Sequence, residues 1–409
     1  MEGQGSTGLL NRQAGRLRIE FAPSICVSSR EGLISSSIAT AMTPHCATIP
    51  DAAINTAEKN LRDILTLAIE HHPMQSAIVV SDAQCELAIA LTVAYRRCLP
   101  GATFLDFDSI APETVRTAFE RLAPGDLVVL IQSTSFRLDA FRIRVELFKR
   151  ALKVIEHPHL SRMPGNEALT YIDSLAYDPA YFRGVGNALK ARIDSAQAGV
   201  IDSGGERLVF ASGFEPAKLN VGDYSDMHNI GGQFPIGEVF TEAKDLEAVN
   251  GRVRISFFGD TVFAVNKPIH PITLVVCKGR VTEAIDSTPE FDRVLANIRA
   301  DEGEVWLREL GLGLNRAFTQ DRVVSDIGTF ERMCGVHLSL GAKHGSYNKP
   351  NIKKATAKHH VDVFAITETV TLDNEVIYRD GAWQVDSCTI GMELATTSDS
   401  RRPIQAVEI

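Results

Sequence analysis

Five side chains able to bind a cation, Glu238, Glu309, His337, His360 and Asp362, stand in four largely apolar stretches of the second half of the chain. The stretches are GGQFPIGEVFTE (231–242), LRELGLGLN (307–315), ERMCGVHLSLG (331–341) and HVD (360–362). Three carboxylates and two imidazoles form a mixed oxygen and nitrogen set, which suits one or two divalent ions of the zinc, cobalt, manganese or iron type. Each residue alone also has an ordinary reading. Glu238 suits a strand start, Glu309 a helix end, and His337 a core position satisfied by a backbone carbonyl. Glu331 reads as an exposed helical acid, and His360 with Asp362 as a plain hydrogen-bonded pair. The joint occurrence, in segments that would bury the acids beside glycines, points to metal chemistry, because a buried carboxylate needs a partner.

The elements that must position these groups are partly legible. KHHVDVFAIT (358–367) is β-branched and apolar, so it predicts a strand in which His360 and Asp362 share one face and Val361 and Val363 the other. Earlier in the chain, helical spacing over 52–70 is followed by an alternation: strand 76–81, helix 86–97, strand 102–107, helix 112–122, strand 127–132, helix 136–151. Nearly continuous apolar strands separated by single helices predict a parallel sheet covered on both faces. Beyond residue 200 short β-like runs take over, at 207–211, 252–258, 273–277 and 361–366. Asn250-Gly251 and Lys278-Gly279 read as hairpin turns between them. The expected fold class is therefore an α/β N-terminal domain with a parallel sheet, over 46–200. An α+β C-terminal domain over 201–409 would carry the metal, after a disordered tail over 1–45. Met42 makes an equally sensible start.

Composition excludes several classes. A formal charge of -9 argues against a general affinity for nucleic acid, and Arg142, Arg144, Lys149, Arg150 and Lys153 read as the solvated face of one helix. No apolar run is long enough to span a bilayer. Seven scattered cysteines without a CxxC pair indicate reduced thiols in a cytoplasmic protein. GVGNA (184–188) lacks the third glycine of a dinucleotide fingerprint and follows no strand.

In order and content, PIGEVF, ELGLGLN, GVHLSLG and HVD resemble the aminopeptidase T type family of metallopeptidases. That resemblance covers roughly 200–385, and more loosely the α/β half before it. It implies Glu238, Glu309, His337, His360 and Asp362 as ligands of two ions, zinc, cobalt or manganese, in a homodimer that releases N-terminal residues from a small peptide or amino-acid amide. Glu331 would be the carboxylate that manages the proton. The family's tyrosine, thought to help at the reacting carbonyl, falls on His344, with Tyr347 close by. The same superfamily includes 2,5-dihydroxypyridine dioxygenase, which the chain also resembles. That alternative implies a single Fe(II) and ring cleavage, with His360 and Asp362 matching two of its three ligands and Glu309 standing where its first histidine would be.

Overall fold

A computed structural model describes residues 49–138 and 143–385. The expected tail over 1–45, Met42, Arg142, Cys26, Cys46 and Cys388 lie outside the described residues. Strands β1 (Ala77–Ser81), β2 (Thr103–Asp106), β3 (Leu127–Ile131) and β4 (Lys153–His157) pair in parallel, in the order β2-β1-β3-β4. Helices α1 (Asp51–Asp63), α2 (Glu86–Cys98), α3 (Pro112–Glu120) and α4 (Ile143–Lys149) alternate with them, so the predicted α/β sheet forms. β3 is buried at every position, as its LVVLI sequence requires of a strand covered on both faces. α5 (Asn166–Ser174) and α6 (Pro179–Ser195) complete this half.

The second sheet starts with β5 (Gly199–Ser203), β6 (Glu206–Phe210) and β7 (Lys218–Asn220). β8 (Gly231–Gln233) instead returns to the first sheet, pairing in parallel with β4. There follow β9 (Glu238–Glu242), β10 (Val249–Gly259), β11 (Val265–Asn266), β12 (Ile272–Cys277), β13 (Arg280–Ile285) and, after α7 (Pro289–Glu302), β14 (Leu307–Gly313). The four-residue α8 (Ile327–Phe330) leads to β15 (Gly335–Leu340), β16 (Val361–Ala365), β17 (Thr369–Leu372), β18 (Glu375–Arg379) and β19 (Ala382–Trp383). Among the described residues these make a 14-stranded sheet, in the order β19-β18-β17-β5-β6-β10-β16-β15-β14-β9-β7. β11 and β12 branch from β10, and β13 pairs with β12.

Two local expectations are corrected, at Asn250-Gly251 and at Lys153. Asn250-Gly251 is no turn: it lies inside β10, where Gly251 (φ 124°) pairs closely with β6, and a Cβ there would stand 2.1 Å from the Arg207 carbonyl oxygen. Lys278-Gly279 does turn, with both residues at positive φ between β12 and β13. Lys153 leaves the expected helical face: it is buried in β4, donating to the Glu70 carbonyl at 2.7 Å. GVGNA lies within α6, away from any strand-to-helix turn. No helix of the described residues is long and apolar enough to cross a membrane, and Cys85, Cys98, Cys277 and Cys334 are free thiols.

Candidate metal centre

Four adjacent strands, β9, β14, β15 and β16, carry the motifs side by side. Register does the positioning: Glu238 pairs with Gly313, Gly311 with His337, His337 with Phe364 and Ser339 with Asp362. The glycines of ELGLGLN acquire a physical purpose here. A Cβ on Gly311 would stand 2.0 Å from the His337 ring, so the missing side chain is the space across which that imidazole reaches. Ser339 Oγ accepts from the Glu309 amide at 3.0 Å and fixes the strand beside the acid.

Glu238, Glu309 and His337 offer ligand atoms that all lie within 4.8 Å of one another. His337 Nε2 is 3.2 Å from Glu238 Oε1 and 3.4 Å from Glu309 Oε1, and the ring is 1% exposed. Burial disfavours charge on that ring, but the two carboxylates outweigh it and hold the pKa up at about 10. Burial likewise opposes the charge of Glu309, and the imidazoles of His337 and His344 overcome it, keeping this carboxyl below its ordinary range.

The other oxygen of Glu309 faces a second group. His344 Nε2 lies 2.9 Å from Glu309 Oε2, with its side chain 2% exposed. The rings of His344 and His360 are 6.0 Å apart. His360 Nε2 is 3.2 Å from Asp362 Oδ1, as the shared strand face requires. Burial lowers and the adjacent Asp362 raises the His360 pKa, which settles at about 9. The neighbouring His359 turns outward to Asp301, so the histidine pair splits between the site and the surface.

Two further residues expected at the site are placed differently. Glu331 pairs with Arg332, whose Nη1 is 3.7 Å from Glu238 Oε2; it meets the cluster through that arginine. Tyr347 donates its hydroxyl to the Pro216 carbonyl at 2.7 Å, and its ring packs 5.0 Å from that of His344. Reasoning from the sequence missed Arg332, a buried cation beside two acids, and the Arg308–Glu242 pair at 2.7 Å, buried on both sides. The only signal for Arg332 was its adjacency to Glu331. Nothing local announces that Glu242 and Arg308, 66 residues apart, meet.

The residues fit a cation. Two buried carboxylates crowd one imidazole, and two further buried atoms, Asp362 Oδ1 and His344 Nε2, have only His360 (3.2 Å) and Glu309 (2.9 Å) facing them. A mixed set of this kind suits zinc, cobalt, manganese or iron.

No protein-family model matches the chain, and no curated protein matches it. Seven chains among solved structures do. The structure of 2,5-dihydroxypyridine dioxygenase from Pseudomonas putida aligns with a TM-score of 0.55 and 14% identity, over 82% of this chain and 98% of that one. Wild-type AmpT from Thermus thermophilus aligns over 81% of this chain and 99% of that one, at 15% identity. Its TM-score of 0.46 is too low to build on. The likeness to the dioxygenase shows a shared fold, and that neighbour is an enzyme by name.

Proposed function

We propose that the protein is a metal-dependent hydrolase of the aminopeptidase type, cleaving the N-terminal amide bond of a small peptide or amino-acid amide. The observation that carries this reading is the meeting of Glu238, Glu309 and His337 from three strands, with Glu309 turning its second oxygen toward His344 beside His360 and Asp362. Glu238 and His337 on one side of Glu309, and His360 and Asp362 on the other, would together with it hold a pair of divalent ions. Bound there, divalent ions would supply Lewis acidity and lower the pKa of a water nucleophile.

The chain's own residues do the rest. Gly311 leaves room for His337, Ser339 fixes the backbone at Glu309, and Arg332 holds Glu238 from behind while tying Glu331 to it. Burial keeps the cluster in a low-dielectric setting where charge acts strongly. The test is metal content combined with hydrolysis of aminoacyl arylamides. Activity that a chelator abolishes and zinc, cobalt or manganese restores supports the reading; a loaded protein without any such hydrolysis refutes it.

A second reading has one specific observation behind it. His344, His360 and Asp362 make a two-histidine, one-carboxylate set, the pattern of a mononuclear iron oxygenase, and the fold neighbour is a ring-cleaving dioxygenase by name. That reading requires His344 Nε2 to carry a lone pair. Against it, the Ser346 amide donates to His344 Nδ1 at 3.1 Å.

A further inference from the structure

A cavity of about 620 Å³ lies apart from the metal cluster, and none of Glu238, Glu309, His337, His360 and Asp362 lines it. Its floor is apolar: Phe318 is wholly buried, and Met333 and Tyr378 are each 4% exposed. Two cations, Lys267 and Arg316, stand exposed at its rim. Among the described residues no acid lines it, although the chain carries a net charge of -9. Neither cation pairs with a carboxylate of those residues. Lys267 Nζ sits 5.4 Å from the centroid of the Phe257 ring and donates to the Gln320 carbonyl at 3.4 Å, while the Arg316 guanidinium lies 3.9 Å from the Tyr181 ring centroid.

The floor holds one more uncommitted group. The Tyr378 hydroxyl has no hydrogen-bond partner among the described residues. It faces Gly335, which also lines the cavity, and a Cβ there would stand 3.6 Å from the oxygen. Gly335 has φ 138°, so a side chain is disfavoured at the spot the hydroxyl faces. A volume of this size accepts a small organic molecule. Apolar walls favour a hydrophobic body, and two rim cations without carboxylates favour a negative head. A buried hydroxyl left unpaired costs free energy, which a ligand oxygen recovers. We propose that this cavity is a second binding site, for a small organic acid whose carboxylate lies between Lys267 and Arg316. Its apolar body rests on Met333 and Phe318, and an oxygen at its far end meets the Tyr378 hydroxyl. Packed rings separate this site from the metal centre: Lys267 rests on Phe257, which meets Phe364 at 6.3 Å, and Phe364 meets His337 at 6.0 Å. The assignment therefore holds whichever reaction the metal centre performs.

Isothermal titration of the full chain with 3-(4-hydroxyphenyl)propionate tests this, with the neutral amide of the same acid as the comparison. The expected result is saturable binding of the acid, with the amide weaker by about tenfold or more. Lys267→Gln combined with Arg316→Gln should weaken the acid by about tenfold while zinc content stays parental, and because both side chains are exposed the variant keeps its fold. Tyr378→Phe should weaken the acid about 3- to 10-fold. Glu309→Ala should bind the acid as the parent does. Absence of saturable binding overturns the proposal, as does equal affinity for acid and amide. An affinity that Glu309→Ala lowers and the double variant leaves unchanged overturns it too, by placing the acid at the metal centre.

Discussion

Two buried histidines in this molecule have opposite characters. His157, at the end of β4, is fully buried between two hydroxyls, Tyr95 Oη at 2.8 Å and Tyr171 Oη at 2.7 Å. Burial pushes its pKa down to about 3, so it is neutral. His337, on β15, is just as buried but faces two carboxylates, and its pKa stands at about 10. Depth does not separate a structural histidine from a site histidine; the charge of its partners does. Around His157 every contact is neutral and satisfied, which is how a core polar group should look. Around His337 an excess of negative charge is gathered, as a cation would require.

The largest effect that would break this contrast is on activity. Glu309→Ala should reduce arylamide hydrolysis by more than about 100-fold, beyond what loss of an outer-shell partner costs, while circular dichroism stays native. Full activity in that variant would contradict a site centred on Glu309. Gly311→Ala comes next. Its methyl must displace the His337 ring, so we expect a loss of about 1–3 kcal/mol in chemical denaturation, together with weaker zinc binding by titration. A variant with unchanged metal affinity would mean that the ring does not need that space.

On the structural side, His157→Leu strands the buried Tyr95 hydroxyl, while that of Tyr171 keeps the Phe234 carbonyl, and should destabilise by roughly 1–3 kcal/mol. In contrast to Gly311→Ala, the metal content of the folded fraction should stay at the parental level. A further contrast is a pair of opposite pH dependences, read by denaturation in chelator. The pKa of His157 is depressed on folding, so its contribution is complete above the unfolded value near 6.5 and is lost as pH falls from there toward about 3. That of His337 is raised on folding, so its contribution is complete below about 6.5 and is lost as pH rises toward about 10. Removing each histidine in turn should flatten only its own limb.

The α/β half was readable because its strands are continuous apolar runs separated by amphipathic helices: LVVLI at β3 and AIVVS at β1 match the structure to within a residue or two. The helix expected over 136–151 is cut to Ile143–Lys149 among the described residues, and Lys153 belongs to a strand, because a lysine with an apolar stem can bury when carbonyls receive its ammonium. Asn250-Gly251 mimics a hairpin turn by composition, yet long-range pairing with β6 and β12 overrides the local signal. At the site, the acids and histidines were visible as residue types. Their distances were not, since they depend on register among four strands up to 124 residues apart, from Glu238 to Asp362. Arg332 and the tether of Tyr347 to Pro216 are likewise products of tertiary packing.

The central claim, that Glu238, Glu309 and His337 with His360 and Asp362 hold a pair of divalent ions, is tested most directly by anomalous scattering from crystals of the protein grown with its native metal. The account predicts two peaks flanking Glu309, with absorption edges of zinc, cobalt or manganese. A single iron peak on His344, His360 and Asp362, or metal bound away from Glu309, would contradict it.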